Sequence, residues 1–431
     1  MRVWLLKISE PLPLDSAVNK GRTAMLAGAL AARGHEVTWW ISSFDHQRKR
    51  VILPDDAEVQ LAGGVLAKAL QGIPYRKNFS LRRYIDHRLM ARKFRQRAAQ
   101  IQPPDVIVAS MPDHHLAWEA VAFARERNIP VLVDIRDPWP DVFLDHVPPP
   151  VRLLFKTALF HDFRTLSKAL RGADAILSTV SDWLEWGLAK ADRGGTWKDR
   201  VFLIGVPRQA AGREKPPPGR LAPVLEHLRD RFVVSFIGTF NRNYEPRVVA
   251  EAAMLLRQRQ NLNGRVAFLL AGDGDYFARL RKRTQHLDNV FFPGWVNREE
   301  MEAIHAVSAV GVVPSLLPTP AFPNKASGYL SAGLPVLCSN DGDLPRMLSA
   351  YQAGFRFERG NSRQLADLIH RLAEEPELLA TMSRNARRLF DEKLDAERVY
   401  SSFADHVEAV AGRRPASAPG DLDFKAKVAA G

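Results

Sequence analysis

The chain has 431 residues, a formal net charge of +13, 46% hydrophobic and 25% charged residues, and one cysteine. This length predicts two domains, and the composition is that of a soluble globular protein. One cysteine excludes a disulfide framework and a cysteine metal cluster, no apolar run is long enough to span a bilayer, and the excess of positive charge points to an anionic partner.

The N-terminus MRVWLLKIS runs straight into a strand pattern and is read as carrying no leader peptide. The loop EPLPLDSAVNKGR then leads to the helix TAMLAGALAARGHEV and the strand VTWWIS, a βαβ start. No G-x-G-x-x-G occurs there, which weakens a dinucleotide reading. Residues 76–101 read as a basic amphipathic helix, with Leu81, Tyr84, Ile85, Leu89 and Phe94 on its apolar side. Arg82, Arg83, Arg88, Arg92 and Lys93 crowd the rest, either as a solvated face or as a contact with anionic lipid. Nucleic acid fits less well, because no aromatic platform accompanies the charge.

DVIVAS and IPVLVDI are buried strands, and the loops after them, MPDHH and RDPWPD, fall where open α/β sheets place ligands. His114 or His115 could orient a substrate hydroxyl there. A second basic helix is predicted over Val151–Arg171, and VFLIGVP reads as the last strand of this half. The Pro- and Gly-rich stretch Arg208–Arg220 reads as a linker.

In the C-terminal half the strand FVVSFI meets GTFNRNYE and then Pro246, a corner suited to phosphate. Two D-x-D patterns, Asp273/Asp275 and Asp341/Asp343, read as turn residues rather than metal ligands. VGVV, a Pro-rich loop, Asn324 as N-cap, a short helix, Gly333 and VLCS form a strand–loop–helix–strand unit. Lys325 stands at the helix N-terminus, where an anion would bind.

The segment PNKASGYLSAGLPVL resembles the PNK-x-x-E-Y-L-A-A-G-x-P-V stretch of glycosyltransferase family 4. RDPWPD resembles the RD-x-W-P-D segment of its subgroup for bacterial surface polysaccharides, and ADAILSTVS its AD-x-I-x-x-x-S strand. The resemblance implies a GT-B fold: α/β, two Rossmann-like, doubly wound parallel-sheet domains facing across a cleft. It implies an N-terminal acceptor-side domain over residues 1–207, a linker over 208–231 and a nucleotide-sugar domain over 232–385. A helix over 386–411 would cross back to the first domain, and 412–431 would be a disordered tail.

The activity implied is retaining transfer of a hexosyl-type group from a nucleotide-diphosphate sugar, UDP-linked, to a polyprenyl-diphosphate-linked saccharide. The enzyme would work in the cytoplasm on the inner face of the plasma membrane, without metal or other cofactor and without nucleic acid. Arg136, Asp137 and His114 become the candidates near the reacting carbon. Lys20, Gly21, Gly238, Thr239, Arg242, Asn324 and Lys325 become donor-phosphate candidates, and Trp295 and Val296 base contacts. One departure stands out: the family's paired glutamates fall on Pro320 and Gly328. That leaves two alternatives, a nucleotide-sugar 2-epimerase of the same fold or a non-catalytic GT-B partner subunit.

Overall fold

The computed structural model describes residues 1–14, 21–78, 80–209, 219–241, 244–259, 264–318 and 320–412, without the side chains of residues 145, 146 and 149. Lys20 and Arg242, most of the expected linker and the expected tail from residue 413 lie outside these. The chain divides into two compact units, residues 1–202 with 400–431, and residues 203–399.

The first unit runs β1 (Arg2–Leu6), α1 (Arg22–Ala31), β2 (Glu36–Ser42), β3 (Phe44–Asp45), β4 (Arg50–Val51), β5 (Ala57–Leu61), β6 (Val65–Leu70), α2 (Leu81–Ala98), β7 (Val106–Ser110), α3 (His114–Arg127), β8 (Val131–Ile135), α4 (Arg152–Ala158), α5 (Phe160–Gly172), β9 (Ala175–Ser178), α6 (Ser181–Ala191) and β10 (Arg200–Val201). Its eight-stranded sheet has the order β10-β9-β8-β7-β1-β2-β6-β5, parallel except for the β5–β6 pair. β1, β7 and β8 are almost wholly apolar and buried, as central parallel strands covered on both faces must be. Trp4, Trp40, Phe94 and Phe123 interlock at 5.1–6.3 Å beneath α2 and α3.

The expected apolar face of α2 is rotated. Leu81 and Ile85 are exposed, while Arg83, Asp86, His87, Met90, Ala91, Phe94 and Ala98 face inward. Polar groups can take this face because each finds a partner: Asp86 accepts from the Ile73 amide at 2.6 Å, and the Arg83 guanidinium lies 4.5 Å over Trp139. The single helix expected over 151–171 is two, because α4 ends at Ala158 and α5 restarts at Phe160.

The second unit runs α7 (Ala222–His227), β11 (Phe232–Ile237), α8 (Pro246–Arg257), β12 (Val266–Ala271), α9 (Phe277–Arg283), β13 (Val290–Gly294), α10 (Arg298–Val307), β14 (Val310–Val313), α11 (Asn324–Ser331), β15 (Val336–Cys338), α12 (Asp343–Tyr351), β16 (Gly354–Arg356), α13 (Ser362–Glu374) and α14 (Pro376–Lys393). Its six strands are parallel in the order β13-β12-β11-β14-β15-β16. The order reverses at β11 and β14, the switch point where a doubly wound sheet leaves room for a ligand. α7 falls within the stretch read as linker and buries Leu225 with Leu221 and Leu228 against β11 and β12.

The last helix, α15 (Ala396–Val410), passes from one unit into the other. From Tyr400 onward it packs on the first unit: Phe403 stacks on Phe202 at 4.4 Å, and Arg33 and His35 bond Glu408.

Candidate functional site

In the second unit, β11 and β14 deliver two loops side by side. Phe236 and Phe240 meet edge-on at 5.3 Å, and Phe240 meets Phe277 at 5.1 Å, so aromatic packing anchors both sides of Gly238–Thr239. Below that corner runs GDGD. Gly272 and Gly274 hold φ of +134 and +142, and a Cβ on Gly272 would come within 2.9 Å of the Gly238 carbonyl carbon. Glycine is required there by backbone conformation and by backbone-to-backbone approach. Asp273 and Asp275 are exposed turn residues.

The β14 loop is pinned by Ser339, whose hydroxyl accepts from the Ser315 amide at 2.7 Å and donates to its carbonyl at 3.1 Å. Ser315 in turn pairs with Tyr244 in an isolated antiparallel backbone bridge. α11 then opens on Pro323, with Asn324 as its first helical residue and exposed rather than its cap. No side chain caps this helix, so its first-turn N–H groups lack a side-chain acceptor.

Lys325 turns its ammonium inward from this helix end. Nζ is buried and makes no hydrogen bond among the described residues. It lies 3.3 Å from the centroid of the Tyr244 ring and 4.4 Å from that of Phe236. A Cβ on Gly238 would meet Lys325 Cε at 2.9 Å and Nζ closer still. Burial pushes the ammonium down to about 7 from an ordinary 10.5. A helix N-terminus without a side-chain cap, a glycine corner and a lysine that makes no hydrogen bond among the described residues converge on one spot.

Behind them, Tyr329 of α11 crosses β14 at Gly311 and its hydroxyl accepts from the Ile237 amide at 2.8 Å. Buried His305 meets the Tyr329 ring edge-on at 5.3 Å, bonds Gln209 at 3.0 Å, and is held down to about 4 by burial. Gly328 faces these two: a Cβ there would meet His305 Cε1 at 3.3 Å and Gln209 Nε2 at 3.8 Å. The Gln209 amide thus stands where the resemblance would bring a glutamate. Sequence reasoning did not single out Gln209, since nothing in RQAAG marks it.

The other donor candidates in this unit differ in placement. Thr239 is exposed beside the corner. Trp295 is 67% exposed, and Val296 packs partly into the cluster around Leu221 and Ile304.

In the first unit Arg136 sits at the end of β8 within a buried network. Its Nε donates to Asp134 at 3.0 Å and its terminal nitrogens to Glu10, Thr23 Oγ1 and Ser110 Oγ. Asp134 also takes a bidentate pair from Arg22. Burial alone would raise the Asp134 carboxyl, but Arg22 and Arg136 hold it well below its usual range. Glu10 accepts from the Thr23 amide and hydroxyl, and a Cβ on Gly21 would sit 2.6 Å from its carboxylate. The anion at the N-terminus of α1 is therefore the protein's own, and Gly21 makes room for it. Arg136 braces these strand ends, whereas Asp137 beside it is exposed.

His114 corrects another expectation. It is 4% exposed and its Nε2 is engaged by Asp162 of α5, which also receives His115 at 3.0 Å and the Tyr84 hydroxyl at 3.0 Å. Arg83 is likewise buried, and Lys93 pairs with Asp56 at 2.9 Å, which leaves Arg82, Arg88 and Arg92 exposed among the five residues of α2 expected to meet lipid.

Groups not foreseen also gather at strand ends of this unit. Lys7, buried after β1, donates to the Met111 carbonyl at 2.6 Å and is lowered to about 7 by burial and Arg136. Asp113 keeps Oδ2 buried without a hydrogen-bond partner among the described residues and is raised to about 6 by burial. The Lys at the end of LLK was the one local signal for this group.

Residues 221–389 match the sequence profile of the family described as Glycosyl transferases group 1. No curated protein matches the chain. Among solved structures, a sucrose-phosphate synthase from Thermosynechococcus elongatus superposes with a TM-score of 0.69 at 18% identity, covering 96% of this chain and 100% of that one. HepE of Anabaena, in complex with UDP, gives 0.65 at 15% identity over 95% and 100%. WaaG, a glycosyltransferase involved in lipopolysaccharide biosynthesis, gives 0.61 at 14% identity over 94% and 99%. The fold is GT-B, with Rossmann-like parallel-sheet domains.

Proposed function

We propose that the protein transfers a sugar, with retention, from a nucleotide-diphosphate sugar to a polyprenyl-diphosphate-linked saccharide in bacterial surface-polysaccharide synthesis. It does so at the inner face of the plasma membrane. UDP is the proposed nucleotide, since HepE of Anabaena, similar in fold, forms complexes with UDP and with UDP-glucose. The observation that carries the reading is the buried Lys325 ammonium beside Gly238 at the uncapped start of α11.

In such a transfer the bond from anomeric carbon to diphosphate loosens, and negative charge builds on the departing phosphates. A desolvated lysine without a competing partner binds that charge far more strongly than a solvated one. The α11 amides add fixed positive potential, and the Gly238 corner lets phosphate oxygens approach backbone. The leaving phosphate itself takes the acceptor proton, so no protein base is required. The acceptor binds at the strand ends of the first unit, around Lys7, Asp113 and Asp137, with Arg136 as a positioning residue.

The test supplies UDP-sugars with a polyprenyl-diphosphate saccharide and reads the product by NMR. A new linkage with the donor's anomeric configuration supports the proposal, and inversion or no linkage overturns it. Product formation without acceptor, as a C2 epimer, would instead identify an epimerase. The absence of carboxylates at Pro320 and Gly328 favours one second reading, a non-catalytic subunit, which predicts nucleotide binding without turnover or no binding at all.

A further inference from the structure

The helix α4 buries none of its side chains, yet it carries Leu153 and Leu154, 76% and 72% exposed. Of its seven residues only Phe155 is half-buried, too little by itself to hold so short a helix in water. Phe160, at the start of α5, is 55% exposed, and on α2 so are Leu81 (72%) and Ile85 (45%). The Tyr84–Asp162 bond ties α2 to α5 at this level. Among the described residues these are most of the first unit's large exposed hydrophobics, and they gather on three neighbouring helices.

The same face holds a cavity of about 430 Å³ between α2, α3 and α5, lined by Arg88, Arg92, His115, His161 and Thr165. Leu81, Ile85, Arg88 and Arg92 follow one another at helical spacing, so a single stripe of α2 runs from apolar to basic. On α5, His161 and Thr165 share one face at i, i+4, with Phe160 immediately before them. Lys168 adds charge over Trp118 at 5.6 Å, and exposed Arg152 and Lys156 flank the leucines of α4. Two acids are close. Asp162 is engaged by Tyr84, His114 and His115, and Glu119, on the cavity wall, has its carboxyl raised by burial.

We propose that α2, α4 and the start of α5 dock on an anionic lipid bilayer, with Leu153, Leu154 and Phe160 entering the interface and the Arg88–Arg92–His161 cavity receiving a lipid phosphate. Charge complementarity selects this occupant: an apolar patch bordered by exposed arginines matches acyl chains beneath a phosphate layer, and among the described residues neither Arg92 nor Arg88, which donates to His115 at 3.3 Å, is held by a carboxylate. The inference rests on the proposed transfer to a lipid-linked acceptor and assigns the surface that brings the chain to it. It departs from the sequence expectation in two respects. Arg82, Arg83 and Lys93 play no part, and α4 does.

Flotation of the full chain with vesicles tests it. Wild type should float with phosphatidylcholine vesicles containing 20 mol% phosphatidylglycerol. It should stay behind with phosphatidylcholine alone. Two arginines near a charged surface are together worth roughly 30-fold in partitioning. R88A/R92A should lose about that much, L153D/L154D at least tenfold, and R82E, off the stripe, less than threefold. Equal flotation on neutral vesicles, or a loss in R82E as large as in R88A/R92A, would overturn the docking face. Saturation by soluble glycerol phosphate with no vesicle binding would do the same. UDP calorimetry on these variants without vesicles reports on the nucleotide site separately, so failure of one does not imply failure of the other.

Discussion

Replacing Lys325 by methionine should stabilise the protein and disable it at once. The side chain keeps its length, and only the buried charge is lost. A lysine displaced from 10.5 to about 7 corresponds to roughly 5 kcal/mol of native-state cost at neutral pH and below. The rings of Tyr244 and Phe236 offset part of that, because a cation over two aromatic faces gains about 1–2 kcal/mol. About 3–4 kcal/mol should therefore be recovered, or roughly 6–16 °C in the transition of a unit of this size. The sign with pH follows. Between about 7 and 10.5 the unfolded lysine is charged and the folded one neutral, so wild-type stability rises over that window. The gap between variant and wild type must close as pH increases from 7 towards 10.5. Scanning calorimetry at pH 6.5 and 9.5 measures both. A lower Tm for K325M at pH 6.5, or a gap independent of pH, would refute the claim that this ammonium is held at a cost.

Three further outcomes follow from the same contacts. G238A drives a methyl into the place of Nζ, the movable end of a flexible chain. Stability should change by less than about 1 kcal/mol, while UDP affinity drops by tens-fold, a charged hydrogen bond being worth roughly 1.5–3 kcal/mol. UDP affinity itself should fall as pH rises above about 7, by up to tenfold per unit, and isothermal titration should find this dependence absent in K325M. D134A strands Arg22 and Arg136 in the interior and should cost about 3–5 kcal/mol by urea denaturation. Asp134 is depressed, so its stabilising effect is complete above about pH 4 and lost as pH falls through its lower native value, and D134N should flatten that acid limb.

What was legible in the chain was what is local. Apolar runs bounded by Gly and Pro marked the parallel strands, and PNKASGYLSAGLPVL marked the helix end that carries Lys325. The fold and the glycine corner beside that helix end both follow from patterns a few residues long. The orientation of α2 did not, because its buried Arg83, Asp86 and His87 are satisfied by Trp139 and Ile73, partners distant in sequence. The role of Arg136 was hidden for the same reason: RDPWPD says nothing of Glu10, Thr23 or Ser110, which take up its donors. Gly21 was read as making space for a ligand's phosphate, and it makes space for the carboxylate of Glu10. Both are anions at a helix N-terminus, and a sequence cannot tell a bound one from a built-in one.

Titration of the full chain with UDP at pH 6.5, alongside K325A, bears most directly on the nucleotide site. Saturable binding by wild type below about 1 mM, weakened by tens-fold or more in K325A, is the expected result. Equal affinities for the two proteins, or no heat from wild type at millimolar UDP, would contradict it.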